Sequence, residues 1–83
     1  MGGDRPDFAE LMIEARRVTV ALDGVTGRDG PKATAAALRD GRRLHSELLD
    51  YRASVKMTMI ENSMLQNALD HIRARLRFFG ESV

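Results

Sequence analysis

PKATAAALRDGRRLHSELLDYRASVKMTMIENSMLQNALDHIRARLRFFG, residues 31–80, holds no proline after Pro31 and, before Gly80, no glycine but Gly41. Pro31 suits a first helical position, where its missing N–H would be unpaired anyway. Gly80 is a good terminator. Arg73, Arg75 and Arg77 fall in the last two turns, where cations favour the negative end of the helix dipole. Stepping alternately by four and three gives Ala37, Gly41, Leu44, Leu48, Tyr51, Val55, Thr58, Asn62, Leu65, Leu69, Ile72, Leu76 and Phe79, apolar except at Gly41, Thr58 and Asn62. A 3.5-residue period sustained this far is the seam of a helix packed lengthwise on another helix. The stretch therefore predicts one very long helix over 31–79.

Outward from it, residues 24–30 read as a linker. The glycines Gly24, Gly27 and Gly30 in the run DGVTGRDG oppose a helix through it. Before the linker, Phe8, Leu11, Met12, Ala15, Val18, Thr19 and Leu22 follow the spacing of one helix face. This predicts a short helix over 7–23, with Asp7 as N-cap and Glu10 three residues on as the acidic half of a capping box. The β-branched run around VTVALDGV is compatible with a strand, but no other segment offers it a partner strand. Residues 1–6 (MGGDRP) read as a disordered start, with nothing apolar to tie two glycines down.

Geometry then bears on oligomeric state. A helix from Lys32 to Phe79 is about 72 Å long, and the short helix, about 24 Å long, covers roughly a third of it. The rest of the apolar stripe has no cover within one chain: either the rod breaks, for which Gly41 is the natural place, or a second chain covers it. A break at Gly41 would still leave 38 residues of helix, so a second chain is expected in either case. The expected architecture is all-α: a helical hairpin of one short and one very long helix, dimerising into a coiled-coil-like four-helix bundle, with antiparallel pairing favoured. The candidate partner-binding and dimer-interface residues are Leu44, Leu48, Tyr51, Val55, Met59, Asn62, Leu65, Leu69, Ile72, Leu76 and Phe79. Met57, Met59, Ile60 and Met64 spread off the seam, as do Leu38 and Leu49, which fits a bundle better than an isolated zipper. Asn62 admits two readings: a register-setting buried amide paired with its symmetry mate, or a polar residue near solvent beside Thr58.

Composition narrows the function classes. The chain has 83 residues, room for one small domain. Its 13 Lys and Arg balance 12 Asp and Glu, for a net charge of +1, which argues against a strongly basic nucleic-acid protein. Apolar residues at 43% and charged residues at 30% describe a chain that folds. With no cysteine there is no disulfide, thiolate metal site or cysteine nucleophile. No apolar run approaches a membrane span, and the polar start MGGDRPD does not read as a signal peptide. The expected location is the cytoplasm.

Motifs for chemistry fail one by one. GVTGRDGPKAT at 24–34 lacks the closing Gly-Lys-Ser/Thr of a phosphate loop, and Pro31 removes a needed donor. His45 and His71 would lie about 39 Å apart on one straight helix, so only an antiparallel dimer brings them together; no Glu-x-x-His pair supports a di-iron site. Arg39, Arg42 and Arg43 around Asp40, and Arg73, Arg75 and Arg77 further on, offer cations for phosphate or an acidic partner. They are interleaved with seam residues, balanced by Glu47, Asp50 and Asp70, and carry no aromatic residue for base stacking. LHSELLDYRASV at 44–55 is similar to the Leu-rich, Arg-containing helix of chorismate mutases, small helical dimers, but the other cationic positions of that site have no match here.

ENSMLQNALDHIRARLRFFGES, residues 61–82, resembles the last helix of FlgN-type flagellar export chaperones. Asn62, Met64, Leu65, Leu69, Ile72, Leu76, Phe78, Phe79 and Gly80 occupy that pattern of one Asn, helically spaced apolar residues and an apolar pair before Gly. The resemblance implies a helix that holds a disordered tail of hook-associated proteins until export. The functional expectation is thus a non-enzymatic helical protein–protein interaction module: an adaptor, assembly factor or secretion chaperone acting through an apolar helix face. It would need no cofactor or metal, and its partners would be itself and a helical or disordered protein segment. Met57, Met59 and Met64 suit an adaptable binding surface and equally suit plain core packing. The alternative is a dimeric nucleic-acid-binding regulator using the Arg clusters, separable by a salt titration against duplex DNA.

Overall fold

The computed structural model describes residues 8–25 and 30–82. They form α1 (Phe8–Gly24), α2 (Gly30–Ser54) and α3 (Met59–Phe78), each packed on both others. There is no strand among the described residues. The proposed Asp7 cap, the disordered start and most of the linker lie outside them.

The single rod expected over 31–79 is two helices with a turn over residues 55–58. The break is not at Gly41. The Val55 N–H still donates to Tyr51 O at 2.9 Å, and the chain then leaves the helix. Thr58 restarts it in an extended conformation, φ −68° and ψ 166°. The Glu61 N–H donates to Thr58 Oγ1 at 3.1 Å, and the Thr58 N–H donates to Glu61 Oε1 at 3.0 Å. This reciprocal capping box satisfies donors that any helix start would otherwise leave orphaned. The molecule's longest dimension is 43 Å, well short of the roughly 72 Å of an unbroken rod.

Folding back is favoured by what it buries. Leu44 and Leu48 of α2, and Leu65, Leu69, Ile72 and Leu76 of α3, are all fully buried against one another and against Leu11, Ala15, Val18 and Leu22 of α1. Each large side chain so buried contributes about 1.5–3 kcal/mol. The helical hydrogen bonds forgone at a short turn contribute about 0.5–1.5 kcal/mol each. Burial wins, and within one chain it wins without the entropy loss of association.

Gly41 lies inside α2 and has a packing role. A Cβ built there would stand 3.1 Å from Leu22 Cδ1 and 3.1 Å from Leu76 Cδ2. Its bare backbone lets α1 and α3 converge on α2. The other end of α3 is closed by Gly80 at φ +89°, which no other residue adopts as cheaply. The Gly80 N–H donates to Arg77 O and the Glu81 N–H to Leu76 O, both at 2.9 Å, the paired bonds of a Schellman terminus.

Candidate interaction face

The eleven residues read from the sequence as a partner surface divide into groups. Leu44, Leu48, Leu65, Leu69, Ile72 and Leu76 are 0% exposed, covered by the chain's own helices, so no second chain is needed to bury them. Tyr51 is half-buried and meets the Phe8 ring at 6.2 Å. Val55 is half-buried in the turn and Phe79 half-buried past the end of α3. Met59 and Asn62 face solvent in the first turn of α3. Of the two readings of Asn62, the polar residue near solvent is the one this fold contains. The physical reason for the difference is the turn at 55–58, which rotates α3 so that its seam from Leu65 onward points at α1 and α2.

The apolar side chains left outside are different ones. Ile13, Val20, Met59, Ile60 and Phe78 are each more than half exposed, and Met64 is 47% exposed. Met64 and Met12 line an open groove of about 420 Å³ between α1 and α3. Ala15, Arg16 and Thr19 complete its α1 wall, and Asn67, Ala68 and His71 its α3 wall. Ile60 lies one helical turn before Met64, and Phe78 two turns after His71, on the same stripe of α3.

One end of this face is held by charge. His71 Nε2 lies 3.0 Å from both carboxylate oxygens of Asp23 at the end of α1. Arg75 Nε stands 3.3 Å from Asp23 Oδ1, an ion-pair distance without hydrogen-bond alignment. Arg75 Nη2 donates to Leu22 O at 3.3 Å, placing a cation on the terminal carbonyls of α1 where the helix dipole favours it. The same guanidinium sits 4.8 Å from the Phe78 ring centre and 5.5 Å from that of Phe79. Asp23 and Arg75 are far apart in sequence, and only the packing of α1 on α3 brings them together.

Four arginines of the two clusters, Arg42, Arg43, Arg73 and Arg75, contact other groups of the same chain. Arg42 binds Glu81 at 2.7 Å. Arg43 bridges Glu47 on its own helix and Glu14 on α1. The hydrogen bond from Arg17 holds the Glu14 carboxyl below its usual range; burial pushes the other way, and a hydrogen bond from Arg43 adds to the lowering. Arg73 Nε donates to His45 Nε2 at 3.1 Å. Burial, and then the Arg73 charge, push the His45 pKa down. The two histidines thus sit on different helices and face different neighbours, His45 toward α3 and His71 toward α1. The 39 Å separation expected on one rod does not apply. Among the described residues no group of three His, Cys, Asp or Glu is placed to hold a metal, and no helix is long and apolar enough to cross a membrane.

What these features define is a three-helix bundle with ion pairs between its helices and, on the outer side of α3, a stripe with exposed apolar residues at Ile60, Met64, Ala74 and Phe78. No family model matches the chain, and no curated protein or solved structure matches it either. The sequence signal for the stripe was the off-seam group Ile60 and Met64; Phe78 was visible only as one of an apolar pair before Gly80.

Proposed function

We propose that the protein is a non-enzymatic helical interaction module that works by packing the outward face of α1 and α3 onto a partner helix. The observation that carries this reading is the groove lined by Met12 and Met64, with exposed Ile60 and Phe78 further along the same stripe of α3. Single exposed apolar residues are ordinary, but several along one helix face, beside a concave groove with two methionines in its walls, mark a contact surface. Methionine at two of these positions suits a surface that adapts to its partner. The export-chaperone form of the reading now rests on Met64 and Phe78, since Leu65, Leu69, Ile72 and Leu76 are committed to the core.

The nucleic-acid reading gains no support from the Arg clusters, because Arg42, Arg43 and Arg75 are each ion-paired within the chain. A test uses methyl-labelled methionine and amphipathic helical peptides carrying a Leu/Ile face. The Met12 and Met64 methyl resonances are expected to shift on titration, with Met57, packed against the core, unmoved. Uniform insensitivity of Met12 and Met64 to millimolar peptide, with no self-association, removes the reading.

A further inference from the structure

We infer that the partner of this face is a second copy of this chain, docked antiparallel through α3 about a two-fold axis level with Leu69. The inference rests on the interaction-module reading and names its occupant. Ile60, Met64, Asn67, His71, Ala74 and Phe78 follow one another at intervals of four, three, four, three and four residues. This is a second heptad seam on α3, on the side away from the buried one. Ile60 is 74% and Phe78 72% exposed, and Asn67, His71 and Ala74 are exposed as well.

The order of residues along the seam reads nearly the same from either end: apolar, apolar, polar, polar, apolar, apolar. An isologous contact requires such self-complementarity, because each residue meets the symmetry mate of its counterpart. Turned antiparallel about the level of Leu69, Ile60 meets the partner's Phe78, Met64 meets the partner's Ala74, and Asn67 meets the partner's His71. A large residue is set against a small one at Met64 and Ala74. An amide is set against an imidazole at the centre. A parallel pairing would instead stack Phe78 on Phe78 and His71 on His71, losing both matches.

The flanks of the seam add charge. On the α1 side, Glu61 comes level with the partner's Arg75 to within about 3 Å along the axis, twice by symmetry. One Glu61 oxygen is already on the Thr58 N–H and Arg75 is already paired with Asp23, so this attraction is shared with contacts inside each chain. On the other side, Asp70 meets the partner's Asp70, which opposes association. The net charge of +1 adds no general repulsion. The strip is about 30 Å long and 10–12 Å wide, on the order of 300 Å². That is below the ~800 Å² per partner of a standard interface, so the contact belongs with weak, transient ones.

Sedimentation of the full chain from low micromolar to millimolar concentration is expected to show a monomer–dimer equilibrium. Ile60→Glu and Phe78→Glu should each weaken it at least about tenfold, as loss of an anchor residue does. Both sites are exposed, and unchanged thermal unfolding of the monomer checks that neither variant is merely misfolded. Asp70→Asn should tighten the dimer. The chain has no cysteine, so Ile60→Cys and Phe78→Cys chains report register directly. Mixed, they should form a disulfide between 60 and 78. Linkage of like with like, or a monomer at every concentration, overturns the inference. A monomer whose Met64 still responds to helical peptides overturns self-pairing alone and leaves the interaction-module reading standing.

Discussion

Two points in the chain differ in a way that local rules get backwards. Gly41 is the weakest helix former between Pro31 and Gly80, and the helix runs straight through it. Residues 55–58, Val-Lys-Met-Thr, contain neither glycine nor proline, and there the helix stops. Glycine within a helix costs roughly 0.5–1 kcal/mol relative to alanine. At Gly41 that cost is offset because the missing side chain lets Leu22 and Leu76 close on the backbone. At 55–58 the intrinsic penalty for staying helical is small, but a reciprocal cap stands ready at Thr58 and Glu61, and a whole seam is buried when the chain turns. Packing decides where the break falls; propensity only sets its modest local cost.

The strongest test of this comparison removes what the turn achieves. Leu69→Ala should cost about 2–5 kcal/mol in urea unfolding, as buried leucine truncations do. The loss should be independent of protein concentration, since Leu69 is buried within its own chain. In an Ile60→Glu background, which removes the outer contact inferred above, a midpoint that still rises with concentration would move this seam back to a subunit interface. Next in size is Gly41→Val, which inserts a side chain where a Cβ alone already meets two leucine methyl groups at 3.1 Å. Overpacking of this kind costs about 1–3 kcal/mol; a stabilised variant would show that Gly41 has no packing role.

Thr58→Ala sharpens the other half. Loss of an N-cap side chain costs typically ~1 kcal/mol. Circular dichroism and chemical denaturation should show a less stable but still three-helix protein. No change in stability would mean that burial alone positions the turn. The smallest effect concerns His45. Its folded pKa is lowered from 6.5 by burial and by Arg73, so between the folded value and 6.5 the unfolded chain binds more protons. This contribution to stability is present above pH 6.5 and is lost as pH falls through the folded pKa. His45→Gln should flatten the slope of stability against pH in that window, and an unaltered slope would assign it elsewhere.

Much of this architecture is legible in the residues. The 3.5-residue spacing picks out Leu44, Leu48, Leu65, Leu69, Ile72 and Leu76 as side chains that must leave water, and all six do. The face of α1 is equally plain in Leu11, Ala15, Val18 and Leu22. The Thr58-x-x-Glu61 pattern was there to be read as a helix start and was hidden by an uninterrupted apolar period across it. The contacts of Asp23 with His71 and Arg75 had no sequence signal, because residues about fifty positions apart share no local pattern.

The amino-acid order by itself determined that the chain is helical and which edge of each helix is apolar, because both follow from side-chain chemistry repeated at a helical period. Only the tertiary structure decided what covers that edge. Turning back on itself and pairing with another rod bury the same side chains, so periodicity cannot distinguish them. The choice is made by a turn that closes within one molecule, where covering the seam carries no cost of bringing two chains together.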